Sequence, residues 1–426
     1  MSSHVSSRIC DVLVIGGGII GLTAAWRALE TGANVVVLDP APGDGATHAA
    51  AGMLAPVMEA GFGEQGLARL GTASLALWPA FAEALERAAG LPPGAVGLET
   101  TGTLAVAYDG DDLAVLRRLL DLHREWDLGS AEISPDEARR REPAVGQRLA
   151  GAAWVPRDHR VDPRAVHDAL TAVVVARASL VRRAAVSLTW ADGGVVGAVD
   201  EAGTKYAAGT VVLAAGHASG ALFAGAPTRP VPGTTLRLDA DADRSPAVVV
   251  RGTVQGRPVY AAPRAVRPDG RREVVVGASS DEREDDHLTR AGDVFALLRD
   301  ARVLLPGLDD AVLLETTTRS RPGSPDNTPL LGWAADGLYL ATGHHRNGIL
   351  LTALTAVAVD AALRADTRTA TRTDTGTGAP SWSAAVARFA DPRRFAGRAR
   401  PGPTPGPGPV PSGTGTPHRA IRGGTA

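Results

Sequence analysis

The stretch that most constrains this chain is Asp11 to Asp39, DVLVIGGGIIGLTAAWRALETGANVVVLD. An apolar run, Val12 to Ile15, meets a glycine cluster, then a helical pattern, then a second apolar run that ends in an acid. The pattern predicts a strand, a tight turn, a helix and a parallel strand. Gly16, Gly18 and Gly21 form GxGxxG. The first glycine turns the backbone off the strand, the second admits a pyrophosphate to the main chain, and the third lets helix and sheet approach. The helix start then offers free N–H groups and a positive dipole end to phosphate. Asp39 lies about 20 residues past the turn, where a carboxylate accepts hydrogen bonds from both ribose hydroxyls. Glycines alone are a weak signal. With strand, helix, strand and acid in register they predict a site for an adenine dinucleotide, and an ordinary glycine-rich turn leaves Asp39 without a role.

The rest of the composition mostly excludes. At 426 residues the chain has length for two substantial domains. Its net charge of -2 gives no basic surface for nucleic acid and nothing attracted to a membrane. No uninterrupted apolar window approaches a membrane span. Met1 to Ile9 lacks the apolar centre of a secretory signal, and Cys10, the single cysteine, forms no internal disulfide. The expected location is the cytoplasm. Lys205 is the only lysine among 44 basic residues, which reads as compositional bias.

Along the chain, Pro40 to Pro56 is a loop of small residues that lets backbone lie close to a bulky ligand, and Ala51, Gly52 and Met53 follow the second strand closely. Leu67 to Ala89 has helical spacing. Leu98 to Gly110 reads as strands, Asp111 to Trp126 as a helix, and Ser134 to Pro143 as a short Ser-capped helix. Val161 to Ala178 is helical, and Ser179 to Ala207 reads as strands about an Asp192-Gly193 turn. Thr210 to Gly220 is a strand ending in a glycine turn. Val248 to Val254, Arg257 to Ala262 and Glu273 to Ala278 read as strands, with a hairpin turn at Asp269-Gly270. Asp286 to Pro306 is an amphipathic helix. Leu313 to Gly332 is a strand and a proline-punctuated loop, and Gly337 to Leu363 a strand, a glycine turn and a long helix. The expected division puts 8–90, 145–230 and 321–365 in a dinucleotide-binding domain and 91–144 with 231–320 in an inserted domain. Residues 366–426 form a linker and a disordered tail, with 382–395 able to pack through Trp382, Phe389 and Phe395.

Taken in order, VIGGGIIG (Val14 to Gly21), AAAGML (Ala49 to Leu54), PVYAAPR (Pro258 to Arg264), VVGAS (Val275 to Ser279), RPGSPDNTPLLG (Arg321 to Gly332) and GHHRNGILL (Gly343 to Leu351) resemble the FAD-dependent D-amino-acid oxidase and sarcosine oxidase family. Within it the resemblance is to the glycine oxidases of thiamine biosynthesis. It covers roughly Asp11 to Leu363, and the last two motifs are the specific ones. The fold it implies is α/β: a Rossmann-like FAD-binding domain of the glutathione-reductase type, with an inserted domain of antiparallel sheet and helices. The implied reaction is oxidative deamination of glycine and related small amines, giving imine or glyoxylate with hydrogen peroxide, for the thiazole branch of thiamine biosynthesis. The implied partners are a small amino acid and oxygen, and the implied assembly is a homo-oligomer. A sarcosine or D-amino-acid oxidase or dehydrogenase is the alternative, and a flavin-binding module without turnover is the third reading.

Carried over residue by residue, Ile19 and Ile20 lie over the pyrophosphate turn and Asp39 and Pro40 near the adenosine ribose. Ala46 and Thr47 approach the phosphates, Ala51 to Met53 the flavin ring, and Val186 contacts adenine through its backbone. His344, His345, Arg346, Asn347, Gly348, Ile349 and Leu350 wrap the flavin. Arg321 and Arg346 face the substrate, and Tyr260 covers its carboxylate. A guanidinium suits a carboxylate, being a planar two-pronged donor that keeps its charge. Locally, Arg321 reads equally as a surface arginine on a Pro/Gly loop, Arg346 as a salt bridge across a turn, and Tyr260 as a core tyrosine. No general base is nominated, because the redox step belongs to the cofactor. His344 and His345 have no third ligand at usable spacing, so no metal is expected. His48, next to AAAG, lies one position out of register with the flavin-linked histidine of some relatives, so FAD is expected to be non-covalent. Thr234 after Gly233, and Arg319-Ser320 before Arg321, depart from the family pattern.

Overall fold

A computed structural model describes residues 7–283, 286–366 and 381–395. The linker expected at 367–380 and the tail expected at 397–426 lie outside the described residues. The chain opens β1 (Ser7–Ile15), α1 (Ile19–Glu30), β2 (Val35–Leu38), α2 (Ala46–Ala49), β3 (Met53–Leu54) and α3 (Gln65–Ala88). It continues β4 (Thr103–Ala107), α4 (Gly110–Glu125), β5 (Ala131–Ile133), α5 (Pro135–Arg141), β6 (Gly151–Val155), β7 (His159–Arg160) and α6 (Pro163–Val175). Then follow β8 (Ser179–Val181), β9 (Ala185–Ala191), β10 (Gly194–Asp200), β11 (Lys205–Leu213), α7 (Ser219–Leu222), β12 (Arg229–Asp241), β13 (Val249–Val254), β14 (Arg257–Pro263) and β15 (Arg271–Gly277). The last elements are α8 (Ala291–Leu304), β16 (Val312–Gly323), β17 (Leu330–Ala335), β18 (Leu338–Thr342), α9 (Thr352–Asp366) and α10 (Ser381–Phe389).

These strands make two eight-stranded sheets and one two-stranded pair. The first sheet runs β17-β18-β11-β1-β2-β8, with β10 and β9 attached at β11. Its centre is parallel: β1 pairs with β2 and β11, and β11 with β18. Such strands are covered on both faces, which explains why Val12 to Ile15 and Val35 to Leu38 are apolar at every position and all buried. Helices α1, α3, α6 and α9 contribute to the core on one side through Leu22, Trp78, Leu170 and Val359. Gly21 makes the helix–turn contact possible: a Cβ there would lie 1.9 Å from the Gly16 carbonyl oxygen. The architecture is the α/β class expected.

The second sheet runs β16-β12-β15-β14-β13-β4-β6-β5 and is antiparallel apart from β13 with β4. One face packs on α8 through Leu236, Val274, Leu297, Ala301 and Leu304. Alternation along each strand sends the other face toward the first sheet's loops. More than one boundary differs from expectation. Arg229 and Pro230, with Arg321 to Gly323, all placed above in the dinucleotide unit, pair within the second sheet. Gly151–Val155, assigned above to the dinucleotide unit, pairs with β4 in the second sheet. The run GAAWV is as apolar as a parallel strand, so local texture does not reveal its partner.

The helix caps follow local rules. Asp109 accepts from the N–H groups of Asp111 and Asp112, Ser134 from that of Glu137 and Asp162 from those of Arg164 and Ala165. Residues 382–395 pack as expected: the Phe389 ring lies against Gly66, and the Leu331 N–H donates to the Ala390 carbonyl at 2.9 Å. Among the described residues no helix is long and apolar enough to cross a membrane.

Candidate active site

A cavity of about 530 Å³ runs from the β1–α1 turn to the second sheet. Its lining includes Gly18, Ile19, Ile20, Asp39, Ala46, Thr47, Ala51, Gly52, Met53, Tyr260, Arg321 and the run His344 to Ile349. Most of the expected residues, distant in sequence, therefore share one space. Gly16 and Gly21 shape the turn beneath it. Besides Gly16 and Gly21, three expected residues are not on the lining. Pro40 is exposed on the loop after Asp39. The Val186 side chain is 55% exposed on β9, a strand attached at the sheet's margin. Leu350 is buried, and its carbonyl accepts from Ser74 Oγ at 2.6 Å and Trp78 Nε1 at 2.8 Å.

At the nucleotide end, Asp39 is held by two N–H groups: Gly17 donates to Oδ2 at 2.6 Å and Ala41 to Oδ1 at 2.8 Å. Thr47 Oγ1 accepts from the Ile19 N–H at 3.1 Å. The N–H groups of Ile20 and Gly21 have no acceptor among the described residues. A helix start with two unsatisfied donors, set in a cavity wall, fits a phosphate, and the small side chains of 45–52 leave width for a ring system beyond it. His48 is turned away: its Nε2 lies 3.2 Å from Glu315 and 2.9 Å from Arg164 Nη2. Cys10 is buried in β1, and burial pushes its thiol up to about 11.

At the other end, sheet register assembles the site. Arg251 stands opposite Tyr260, Tyr260 opposite Gly277, and Gly277 opposite Thr235. On the next strand Gly233 stands opposite Arg319 and Val231 opposite Arg321. Residues at alternate positions share a face, so Arg251, Tyr260, Arg319 and Arg321 all rise from the cavity side. Two glycines make room. A Cβ at Gly233 would lie 2.2 Å from Arg321 Nη1, and one at Gly277 2.2 Å from Tyr260 Oη. Arg321 donates through Nη1 to the Ser279 carbonyl at 3.2 Å, while Nε and Nη2 have no protein acceptor among the described residues. Burial draws its pKa down, but an arginine stays charged. Burial raises that of Tyr260, so the phenol keeps its proton.

Two residues unmarked in the sequence complete this end. Glu59 accepts from Arg251 Nη1 and from Arg346 Nη2, and from Arg346 Nε at 2.8 Å. Burial would raise its pKa, yet the two guanidiniums outweigh that and hold it at about 2. The salt bridge of Arg346 is thus real, but it reaches across the cavity and not across its own turn. Asp158, fully buried, fixes the Glu59 segment by accepting from the Val57 N–H at 3.0 Å and the Met58 N–H at 3.1 Å. An acid inside a run of small apolar residues, as Glu59 is in APVMEA, was the available signal.

His344 is buried with Nε2 3.1 Å from Thr355 Oγ1, and burial lowers its pKa to about 3. His345 is lowered to about 4, first by burial and then by Arg346 and Arg321. Both are neutral near pH 7. Both departures from the family pattern are placed. Thr234 faces away from the cavity, donating to Asp293 Oδ2 of α8 at 2.9 Å. Arg319 is paired with Asp44 at 2.6 Å.

Comparison with known proteins matches residues 11–361 to the FAD dependent oxidoreductase family. The chain is 31% identical over 353 residues to the bifunctional protein ThiO/ThiG of Nostoc sp., covering 82% of this chain and 52% of that one. It therefore spans about half the length of that relative. It is 31% identical over 360 residues to the glycine oxidase of Geobacillus kaustophilus, covering 82% of this chain and 91% of the relative. The crystal structure of glycine oxidase from the same organism superposes with a TM-score of 0.75 at 28% identity, covering 86% and 97% of the two chains.

Proposed function

The chain belongs to the FAD dependent oxidoreductase family, and from that premise we propose that it oxidises glycine and closely related small amines, using oxygen as the electron acceptor. The products are the imine, which water converts to glyoxylate and ammonia, and hydrogen peroxide. The imine serves the thiazole branch of thiamine biosynthesis. The observation that carries the reading is Arg321: a half-buried guanidinium with free donors on the wall of the cavity that begins at the dinucleotide turn.

FAD, when bound, supplies the two-electron acceptor for the substrate C–H bond. The first sheet's unit carries it, non-covalently. Ile20 and Gly21 would offer N–H groups to its pyrophosphate, Asp39 would hold the ribose, and Ala51 to Met53 and His344 to Ile349 would border its ring. The second sheet carries the substrate. Arg321 takes the amino-acid carboxylate in two charge-assisted hydrogen bonds, and Tyr260 Oη donates a third. Fixing the carboxylate fixes which Cα hydrogen faces the acceptor, and orientation of that kind is a large part of catalysis. No side chain acts as base. Glu59 at a pKa of about 2 is too weak, Tyr260 is protonated, and the amine enters neutral. We also place the protein in the cytoplasm, and as a homo-oligomer; the exposed apolar edge of Val312, Leu313 and Leu314 supports the second of these.

The test is anaerobic bleaching of the flavin by glycine, repeated with Arg321→Ala. Loss of a buried partner to a charged ligand costs about 3–5 kcal/mol, so kcat/KM falls by about 100-fold or more. A variant that is reduced as fast as the parent refutes the assignment.

A further inference from the structure

The chain has three methionines, Met1, Met53 and Met58. Met1 lies outside the described residues. The other two both line the cavity, and neither is fully buried. Among the described residues no cysteine or tryptophan lines it with them. The single thiol, Cys10, is buried in β1, and burial keeps it protonated and so unreactive. The two thioethers are therefore the groups on the cavity wall most readily taken by a two-electron oxidant. Their surroundings are apolar. Met53 packs with Ala51, Val249, Val275 and Tyr260. Met58 packs against two small clusters, one holding Val57 and Leu128 and the other Ala105 and Leu116. Its N–H donates to Asp158 at 3.1 Å, and the next residue is Glu59, which pairs with both Arg251 and Arg346.

We propose that Met53 and Met58 are a modification site acted on by the enzyme's own product: hydrogen peroxide oxidises both thioethers to sulfoxides, and the Met58 sulfoxide slows further turnover. This rests on the proposed activity, which is the source of the peroxide. The step is balanced. The sulfur gives two electrons to the peroxide, the O–O bond breaks, one oxygen forms the S=O bond and the other leaves as water. A sulfoxide is polar where the thioether was apolar. Val57, Leu116 and Leu128 offer it no side-chain hydrogen bond, so the modified side chain is driven from its place. The main chain at Met58 shifts with it and draws Glu59 off the two guanidiniums it holds. Asp39 and the β1–α1 turn lie at the far end of the cavity and are not disturbed. The flavin therefore stays bound while the substrate end loosens.

The experiment uses the FAD-loaded protein in two arms. In the first, glycine and oxygen are supplied until peroxide accumulates, with and without catalase. In the second, peroxide is added with no glycine. Peptide mass spectrometry reads the oxygen gained at Met53 and at Met58. After peroxide is removed, anaerobic flavin reduction is followed on the same samples as glycine is varied. Both methionines are expected to gain one oxygen, and catalase to prevent it in the first arm. The apparent Kd for glycine is expected to rise severalfold while the flavin content stays the same. Met58→Leu, a volume-conserving change, is expected to keep its own starting rate severalfold longer than the parent in added peroxide. The methionine sulfoxide reductases, one for each epimer, are expected to restore the oxidised parent, which irreversible damage elsewhere would not permit. If the parent loses activity before either methionine gains oxygen, or if Met58→Leu decays as fast as the parent, the site is refuted while the proposed activity stands. If glycine yields no peroxide, the proposed activity falls and the product-driven site falls with it.

Discussion

Replacing Gly233 by alanine adds one carbon and removes no charge, yet it should disable substrate binding. The new Cβ would lie 2.2 Å from Nη1, 2.6 Å from Cζ and 2.6 Å from Nη2 of Arg321. Non-bonded heavy atoms rest about 3.5–4 Å apart, so the guanidinium must retreat by about 1 Å or more. The side chain is flexible at its end, so the sheet survives and the carboxylate site pays the cost. A positioning group displaced by about 1 Å loses up to about 100-fold in rate. The arginine holds the carboxylate in the ground state and the transition state alike, so the loss should fall mainly on KM. The assay is stopped-flow flavin reduction with glycine as its concentration is varied. Thr234→Ala is the control: its hydroxyl bonds to Asp293 on the opposite face. That variant should lose about 1 kcal/mol of stability and leave kcat/KM unchanged. If Gly233→Ala reduces its flavin within twofold of the parent at low glycine, the packing of Arg321 on Gly233 does not govern binding.

Asp158 predicts a pH dependence of stability. Burial raises its pKa from 3.8 to about 7, so between those values the folded chain keeps a proton that the unfolded chain releases. Its contribution is full below 3.8 and is lost as pH rises through about 7. The melting temperature should fall across that window, and Asp158→Asn should flatten the fall; an unchanged slope in the variant refutes the assignment. Glu59 has the opposite sign: held at about 2, it stabilises above its ordinary 4.5 and loses that only as pH falls through about 2. The same Glu59 should therefore add no slope between pH 6 and 9 (about the working range implied by its shift), which a Glu59→Gln melting series would check. His48→Ala should leave flavin release by acid unaltered. Acid precipitation should give a yellow supernatant from parent and variant alike, whereas colour that stays with the parent's pellet and leaves the variant's would mean a covalent link.

Much of the site was legible because its parts are local. Asp11 to Asp39 encodes strand, turn, helix and strand through contacts a few residues apart, and the structure shows β1, α1 and β2 there. The same holds for the Asp192-Gly193 hairpin and for the Ser134 cap. Arg321, Tyr260 and His344 to Ile349 were found through short motifs, and all line the cavity. Val186, expected to act through its backbone, does not line the cavity with them, and a strand at the sheet's margin carries no local mark of what it faces. Gly151–Val155 joined the other sheet for the same reason.

The charge balance of the cavity was beyond any local pattern. Glu59 and Arg251 are 192 residues apart, Glu59 and Arg346 are 287, and Asp158 reaches back 101 to Val57. Sequence by itself determined the dinucleotide turn and most element types and singled out Arg321, though on a loop where the structure has the end of β16, because periodicity and turn chemistry act over a few residues. Only the folded sheets decided which arginines share a cavity, which acid restrains them and which side of a strand each residue takes, because strand register joins residues that the chain keeps far apart.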